Sequence, residues 1–148
     1  MTAWEVWSAS ANEEEALVAL EAISFAGRSW GEHSVRESFH VPGVAVLMAG
    51  TNRRQPIGFL IWRDLGGEAE ILSLGVAPGN QRGGVGKALL KDLMDRARQA
   101  YTDRLFLEVD EGNLAACALY QQAGFTQSGL RKSYYRDGAN AVMMQLVL

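Results

Sequence analysis

The sequence predicts an α+β domain, one mixed and mostly antiparallel central sheet flanked by helices. Three observations carry that prediction. Strand-like blocks recur at 4–7, 44–48, 57–62, 70–76, 104–109, 125–135 and 141–148, with helical periodicity confined to the segments between them. The three central blocks follow one another across the turn signals Gly50-Thr51-Asn52 and Gly66-Gly67, which predicts an antiparallel meander. A chain of 148 residues, 48% of them hydrophobic, suffices for one core, so residues 1–148 are expected to form a single domain.

Each element has its own signal. Trp4-Glu5-Val6-Trp7 alternates as a short strand, and Ser10 with Glu13 has the spacing of a capping box. The helix it opens sets Ala16, Leu17, Leu20, Ile23 and Ser24 on one face and ends near Gly27. A second box, Ser29 with Glu32, starts a short helix that turns Val35 and Phe39 inward before Pro42-Gly43. After the meander, residues 85–100 place Leu89, Leu93, Ala97 and Ala100 on one stripe, with Lys91, Asp95 and Arg98 away from it. Asn113 is placed to cap a helix through Gln122, Gly124 stops it, and the last two strands join through Asp137-Gly138.

Composition excludes several classes. A net charge of −3 and a pI of about 5.4 provide no basic field for nucleic acid. No run approaches the ~18 apolar residues of a membrane helix. Met1-Thr2-Ala3-Trp4-Glu5 lacks the basic start and apolar run of a signal peptide, so a cytoplasmic location is expected. The lone Cys117 cannot form an internal disulfide, and His33 and His40 are too far apart to suggest a metal site.

Gln81-Arg82-Gly83-Gly84-Val85-Gly86 stands between the strand-like Glu70-Ile71-Leu72-Ser73-Leu74-Gly75-Val76 and a helical run. Closely spaced glycines let the backbone turn its N–H groups inward, and the first helical turn adds partial positive charge. A pyrophosphate suits such a cradle, although a glycine-rich turn can also do no more than join a strand to a helix. The spacing matches neither the nucleoside-triphosphate loop, since Ala88 follows Lys87, nor the dinucleotide fingerprint.

Two residues beyond the loop could do chemistry. In Arg104-Leu105-Phe106-Leu107-Glu108-Val109 both strand faces read as apolar, and one carboxylate stands inside the run. Burial there would raise its pKa and make Glu108 a better base; alternatively it marks the strand's wet end, where Asp110 and Glu111 follow. Tyr120 shares a helix face with Asn113, so one ligand could touch both. A tyrosine hydroxyl can protonate a departing thiolate, or the ring can simply be half-buried packing. Cys117 could accept an acyl group, but no His accompanies it, and a small buried thiol is the simpler reading.

The glycine loop fits the pattern [QR]-x-x-G-x-[GA] and resembles the acetyl-CoA loop of the GNAT acetyltransferases. Leu72-Ser73-Leu74-Gly75-Val76-Ala77-Pro78, Gln81 to Gly86, Leu107-Glu108-Val109, Asn113-x-x-Ala116, Ala118-Leu119-Tyr120, Gly124-Phe125 and Tyr134-Tyr135 recur in this order in its RimI-type branch, the ribosomal-protein alanine N-acetyltransferases. Ser29-Trp30 is similar to the Pro-Trp-Ser of that branch. The resemblance implies the GNAT acyltransferase fold and metal-free acetyl transfer from acetyl-CoA to a protein N-terminal α-amine, that of a small-subunit ribosomal protein beginning with alanine. It implies Glu108 as general base and Tyr120 as general acid. Leu74, Gly75, Val76, Arg82, Gly83, Gly84, Val85, Gly86, Lys87 and Asn113 would contact acetyl-CoA, and Trp30, Tyr134 and Tyr135 would line the acceptor groove.

The chain departs from the pattern at three places. Asn80 replaces an aromatic residue, Arg28 a proline, and Ala139-Asn140 an acidic pair. Asp110 and Glu111 beside Glu108 would give the groove an acidic rim, favouring peptides with basic residues after the first position, or they form no more than a solvated acidic turn. The same scaffold could instead acetylate a small amine or a lysine side chain, or serve as a non-catalytic acyl-CoA-binding module.

Overall fold

The structure is a computed structural model that describes residues 4–25 and 28–148. Its elements are β1 (Glu5–Ser8), a 3-10 turn (Ala11–Glu13), α1 (Glu14–Ser24), α2 (Glu32–Glu37), β2 (Val44–Gly50), β3 (Pro56–Asp64), β4 (Glu68–Val76), α3 (Val85–Gln99), β5 (Arg104–Asp110), α4 (Leu114–Gln122), β6 (Thr126–Arg131) and β7 (Ala141–Val147). The seven strands form one sheet in the order β1-β2-β3-β4-β5-β7-β6. Only β4 and β5 run parallel. The expected mixed, mostly antiparallel sheet and its central meander are therefore present.

Side chains alternate across the sheet and feed two apolar layers. Leu47, Ala49 and Leu60 face one layer, where α3 buries Leu89, Leu90 and Leu93 and α4 buries Tyr120. Each such leucine contributes roughly 1.5–3 kcal/mol on leaving water. Val46, Met48, Phe59 and Ile61 face the other, under Leu17 and Leu20 of α1 and Val35 of α2. That second layer draws nothing buried from β5, β6 or β7. Leu105, Leu107 and Val109 are consequently buried on one side of β5, while Arg104, Phe106, Glu108 and Asp110 stay half-exposed on the other.

Several local expectations need correction. Ile23 is 55% exposed, and the carboxylate-bearing Glu21 takes the inward place on α1 instead. The expected end of that helix near Gly27 lies outside the described residues. Gly31, at φ +87, caps α2 in place of Ser29, because the Ser29 hydroxyl is engaged by Glu21. Ala100 is exposed beyond the end of α3. Tyr134 and Tyr135 belong to the loop between β6 and β7 and not to a long strand, since β6 ends at Arg131. The first capping box does form, with Glu13 Oε1 accepting the Ser10 N–H at 3.3 Å.

Candidate active site

Parallel pairing of β4 and β5 runs from Glu68↔Arg104 to Ile71↔Leu107 and then stops. At that point the register of β4 against β3 slips: Ile61 faces Ser73 and Trp62 faces Ile71, leaving Leu72 as an extra residue. A bulge bends its strand, and here it coincides with the parting of β4 from β5. Alternate N–H and C=O groups of β4 beyond Leu72 thus point into a gap instead of toward a neighbouring strand. No sequence signal marked a bulge at Leu72.

The gap opens into a cleft of about 180 Å³ whose walls include Trp30, Leu72, Leu74, Glu108, Asn113, Tyr120 and Tyr135. A wider groove of about 720 Å³ continues outward past Glu70, Glu108, Tyr134 and Arg136. Trp30, Glu108 and Tyr135 line both spaces, so the carboxylate stands where they meet. The sequence left Glu108 between a buried place inside an apolar strand and the strand's wet end. The structure sets it at a half-exposed position, because α1 and α2 leave this end of the sheet uncovered.

Neighbouring groups make a polar environment. Arg131 Nε donates to Glu108 Oε1 at 2.7 Å. Hydrogen bonding and charge from Glu108 hold the Tyr134 phenol above its usual pKa. Tyr120 is buried against Phe125, with ring centroids 5.6 Å apart. Burial, then the nearby Cys117, pushes its pKa well above the ordinary tyrosine value. Among the described residues no fully buried side-chain polar atom lacks a partner, and Tyr120 is one of the residues that line the cleft. Cys117 is half-buried, and desolvation raises its thiol too, the state of a packing residue.

Leu74, Gly75 and Val76 continue along the free edge of β4, and Arg82 to Lys87 form the turn into α3. Gly84 caps that helix at φ +91, a left-handed conformation costly for any residue with a Cβ. The first intrahelical bond, Ala88 N–H to Gly84 O at 3.0 Å, leaves the N–H groups of Gly84, Val85, Gly86 and Lys87 without helical acceptors. Gly86 serves packing: a Cβ there would meet Leu119 of α4 at 2.9 Å. Asn113 caps α4 by accepting the Ala116 N–H at 3.1 Å, and its amide nitrogen stays available at the cleft wall.

Arg28 and Asn140 stood out in the sequence as departures from the family pattern, but their contacts, and the role of Glu21, were not read from it. Arg28 bonds Asp110 at 2.5 Å, pairs with Asp137 and lies 4.4 Å from the centre of the Tyr135 ring. Glu21, 1% exposed, accepts from the Ser29 hydroxyl and from the Trp30 N–H at 2.9 Å, tying down the segment that carries Trp30. Asn140 Nδ2 donates to Glu111 Oε1 at 3.3 Å. Of the three carboxylates expected to form an acidic rim, Glu108 pairs with Arg131 and Asp110 with Arg28.

The chain belongs to the acetyltransferase (GNAT) family, whose profile matches residues 7–125. It is 44% identical over 79 residues to the N-alpha-acetyltransferase RimI of Mycobacterium tuberculosis, covering 53% of this chain and 48% of that protein. To the ribosomal protein bS18-alanine N-acetyltransferase of Escherichia coli it is 40% identical over 82 residues, covering 53% and 55% respectively. The chain thus spans about half the length of these curated relatives. The crystal structure of the ribosomal-protein-S18-alanine N-acetyltransferase from Escherichia coli superposes at a TM-score of 0.89 with 28% identity, covering 98% of this chain and 94% of that one. The RimI-type resemblance seen in the motifs is borne out.

Proposed function

We propose that this chain transfers the acetyl group of acetyl-CoA to the α-amine of a protein N-terminus, that of a small-subunit ribosomal protein beginning with alanine. The observation that carries the reading is Glu108 at the junction of an inner cleft that also holds Tyr120 and an outer groove open to solvent. The open groove suits an extended peptide better than an enclosed small amine, and relatives named for bS18 support the ribosomal acceptor. Such an acceptor sets the reaction in the cytoplasm.

The residues present fit acetyl-CoA. Free N–H groups from Gly84 to Lys87 would take the pyrophosphate, with Arg82 and Gly83 completing the turn. The unpaired edge from Leu74 through Gly75 to Val76 would bond the pantetheine arm, and Asn113 would meet it from α4. Donors on this edge would also polarise the thioester carbonyl and stabilise the tetrahedral oxyanion.

The attacking amine must be neutral. At pH 7 an α-amine with pKa about 7.8 is ~14% neutral and a lysine near 10.4 about 0.04%, a difference of roughly 3.5 kcal/mol. One carboxylate at a wet junction is adequate for the first and strained for the second. Glu108 takes the amine proton, directly or through water, as nitrogen bonds the thioester carbon. The C–S bond then breaks, and Tyr120, kept protonated by its burial, gives its proton to the sulfur. Trp30, Tyr134 and Tyr135 hold the first residues of the peptide.

Incubation with acetyl-CoA and peptides carrying ribosomal-protein N-termini, followed by tandem mass spectrometry, tests the proposal. Acetyl on the α-amine of the alanine-starting peptide is the expected result. Acetyl on lysine alone, or on none of the peptides, overturns it.

A further inference from the structure

Trp4 takes no part in the reaction just described, yet its indole Nε1–H donates to the carbonyl oxygen of Gly83 at 2.8 Å, across 79 residues of sequence. We infer that Trp4 is a positioning residue for the phosphate-binding turn, bracing it in its ligand-ready shape before the cosubstrate arrives. The inference rests on the acetyl-CoA reading of that turn.

The geometry of one peptide unit carries the argument. In a planar trans peptide the C=O and the following N–H point in opposite directions. Holding the Gly83 carbonyl against Trp4 therefore aims the Gly84 N–H away from the indole, and that N–H directly precedes the free N–H groups of the first turn of α3. Two adjacent glycines give this peptide little resistance to flipping. The neighbouring backbone is already unusual, with Arg82 at φ +66 and Gly84 at φ +91.

The brace is itself anchored. Trp4 packs against the core layer beneath α3, and the chain enters β1 directly after it, where Glu5 pairs with Gly50 of β2. Its ring lies 3.5 Å from where a Gly83 Cβ would stand, and its Nε1 lies 3.7 Å from the corresponding point at Gly84, so the indole fills the outer side of the turn. Gln81 fixes the entry, its Nε2 donating to Val76 O at 3.2 Å. Ordering the turn during folding removes that cost from binding, which is how preorganisation raises affinity.

Trp4→Phe keeps a ring and removes the donor. Steady-state kinetics with acetyl-CoA and with S-acetylpantetheine, which lacks the pyrophosphate, separate a brace on the turn from general packing. The variant is expected to show a KM for acetyl-CoA raised about tenfold, with kcat retained and kcat/KM for S-acetylpantetheine unchanged. An unchanged KM for acetyl-CoA, or an equal loss with both donors, overturns the inference. If the wild-type protein does not bind CoA, the cosubstrate reading itself has failed; if the wild type binds and the variant binds equally, only the brace has failed. Should the variant not fold, NMR of the wild type decides: the Trp4 indole proton is expected to exchange slowly in free protein and to shift on adding CoA but not pantetheine. Rapid exchange, or no shift with CoA, overturns it.

Discussion

Arg131 reaches Glu108 across an intervening strand: β7 lies between β6 and β5, and the Nε to Oε1 distance is 2.7 Å. An ion pair this open to solvent adds little stability, so its consequence is orientation. Arg131 holds one carboxylate oxygen and so fixes the orientation of a group that lines both the cleft and the groove. Glu108→Gln keeps the shape and an acceptor for Arg131 but removes the base. It is expected to lower kcat about 100-fold while leaving the calorimetric affinity for acetyl-CoA intact. Wild-type turnover in that variant would put the base elsewhere.

Burial raises the Tyr120 pKa above the ordinary value near 10, so the phenol stays protonated across any practical assay range and can donate to a thiolate. The same shift predicts a stability effect. A group whose folded pKa is raised contributes stability that is full below the unfolded pKa and is lost as pH climbs through and beyond it. Thermal melts of the wild type should therefore fall off above pH 10 more steeply than those of Tyr120→Phe. That variant should also bind acetyl-CoA normally and turn over slowly; full activity would reduce Tyr120 to packing.

Much of this was legible in the chain and some was not, for physical reasons. Local signals found the strands, the glycine turn and the Asn113 cap, because each depends on residues within a few positions. The strand pattern also located Glu108, but not its surroundings: whether α1 and α2 reach β5 is a matter of how two layers cover a sheet. The bulge at Leu72 has no composition of its own, arising from a register mismatch between β3 and β4. Arg28, Asp110 and Asp137 lie on three separate segments, so their meeting could not be read from spacing. Tyr134 and Tyr135 were placed in a strand because β-prone residues can equally occupy a loop.

Gly84→Val should abolish measurable acetyl-CoA binding. A Cβ on Gly84 would make ordinary contact with Trp4 Nε1 at 3.7 Å without clashing, so the penalty comes from forcing a β-branched residue to φ +91, which distorts the turn that presents the N–H groups. Calorimetry on the folded variant checks this. An unchanged dissociation constant would remove the turn from the binding site.

Glu21 predicts a split between donor and acceptor. Its carboxylate receives the Ser29 hydroxyl and the Trp30 N–H inside a nearly closed site. Glu21→Ala leaves both donors without this partner, at a cost of about 1–3 kcal/mol, lowering Tm on the order of 5 °C. Trp30 then loses its fixed place in the groove. The expected kinetics are a raised KM for the peptide with KM for acetyl-CoA unchanged, and Glu21→Gln, which retains an acceptor oxygen, should restore most of the loss. Equal damage to both KM values would indicate a general packing defect.

Arg28 predicts how charge enters acceptor choice. Its guanidinium binds Asp110 at 2.5 Å and also Asp137, covering carboxylates that would otherwise attract a basic peptide. The wild type should therefore acetylate peptides beginning Ala-Arg and Ala-Glu at similar rates, with little dependence on salt. Arg28→Ala exposes Asp110 and Asp137 to the groove, and the Ala-Arg peptide should then gain several-fold over Ala-Glu at low ionic strength. That gain should fade as added salt shortens the Debye length from about 30 Å at 0.01 M toward about 8 Å at 0.15 M. Competition between the two peptides, read by mass spectrometry in both proteins at both salt concentrations, is the measurement. A salt-sensitive Ala-Arg preference of equal size in wild type and variant would show that Arg28 leaves the rim acidic as far as the acceptor is concerned.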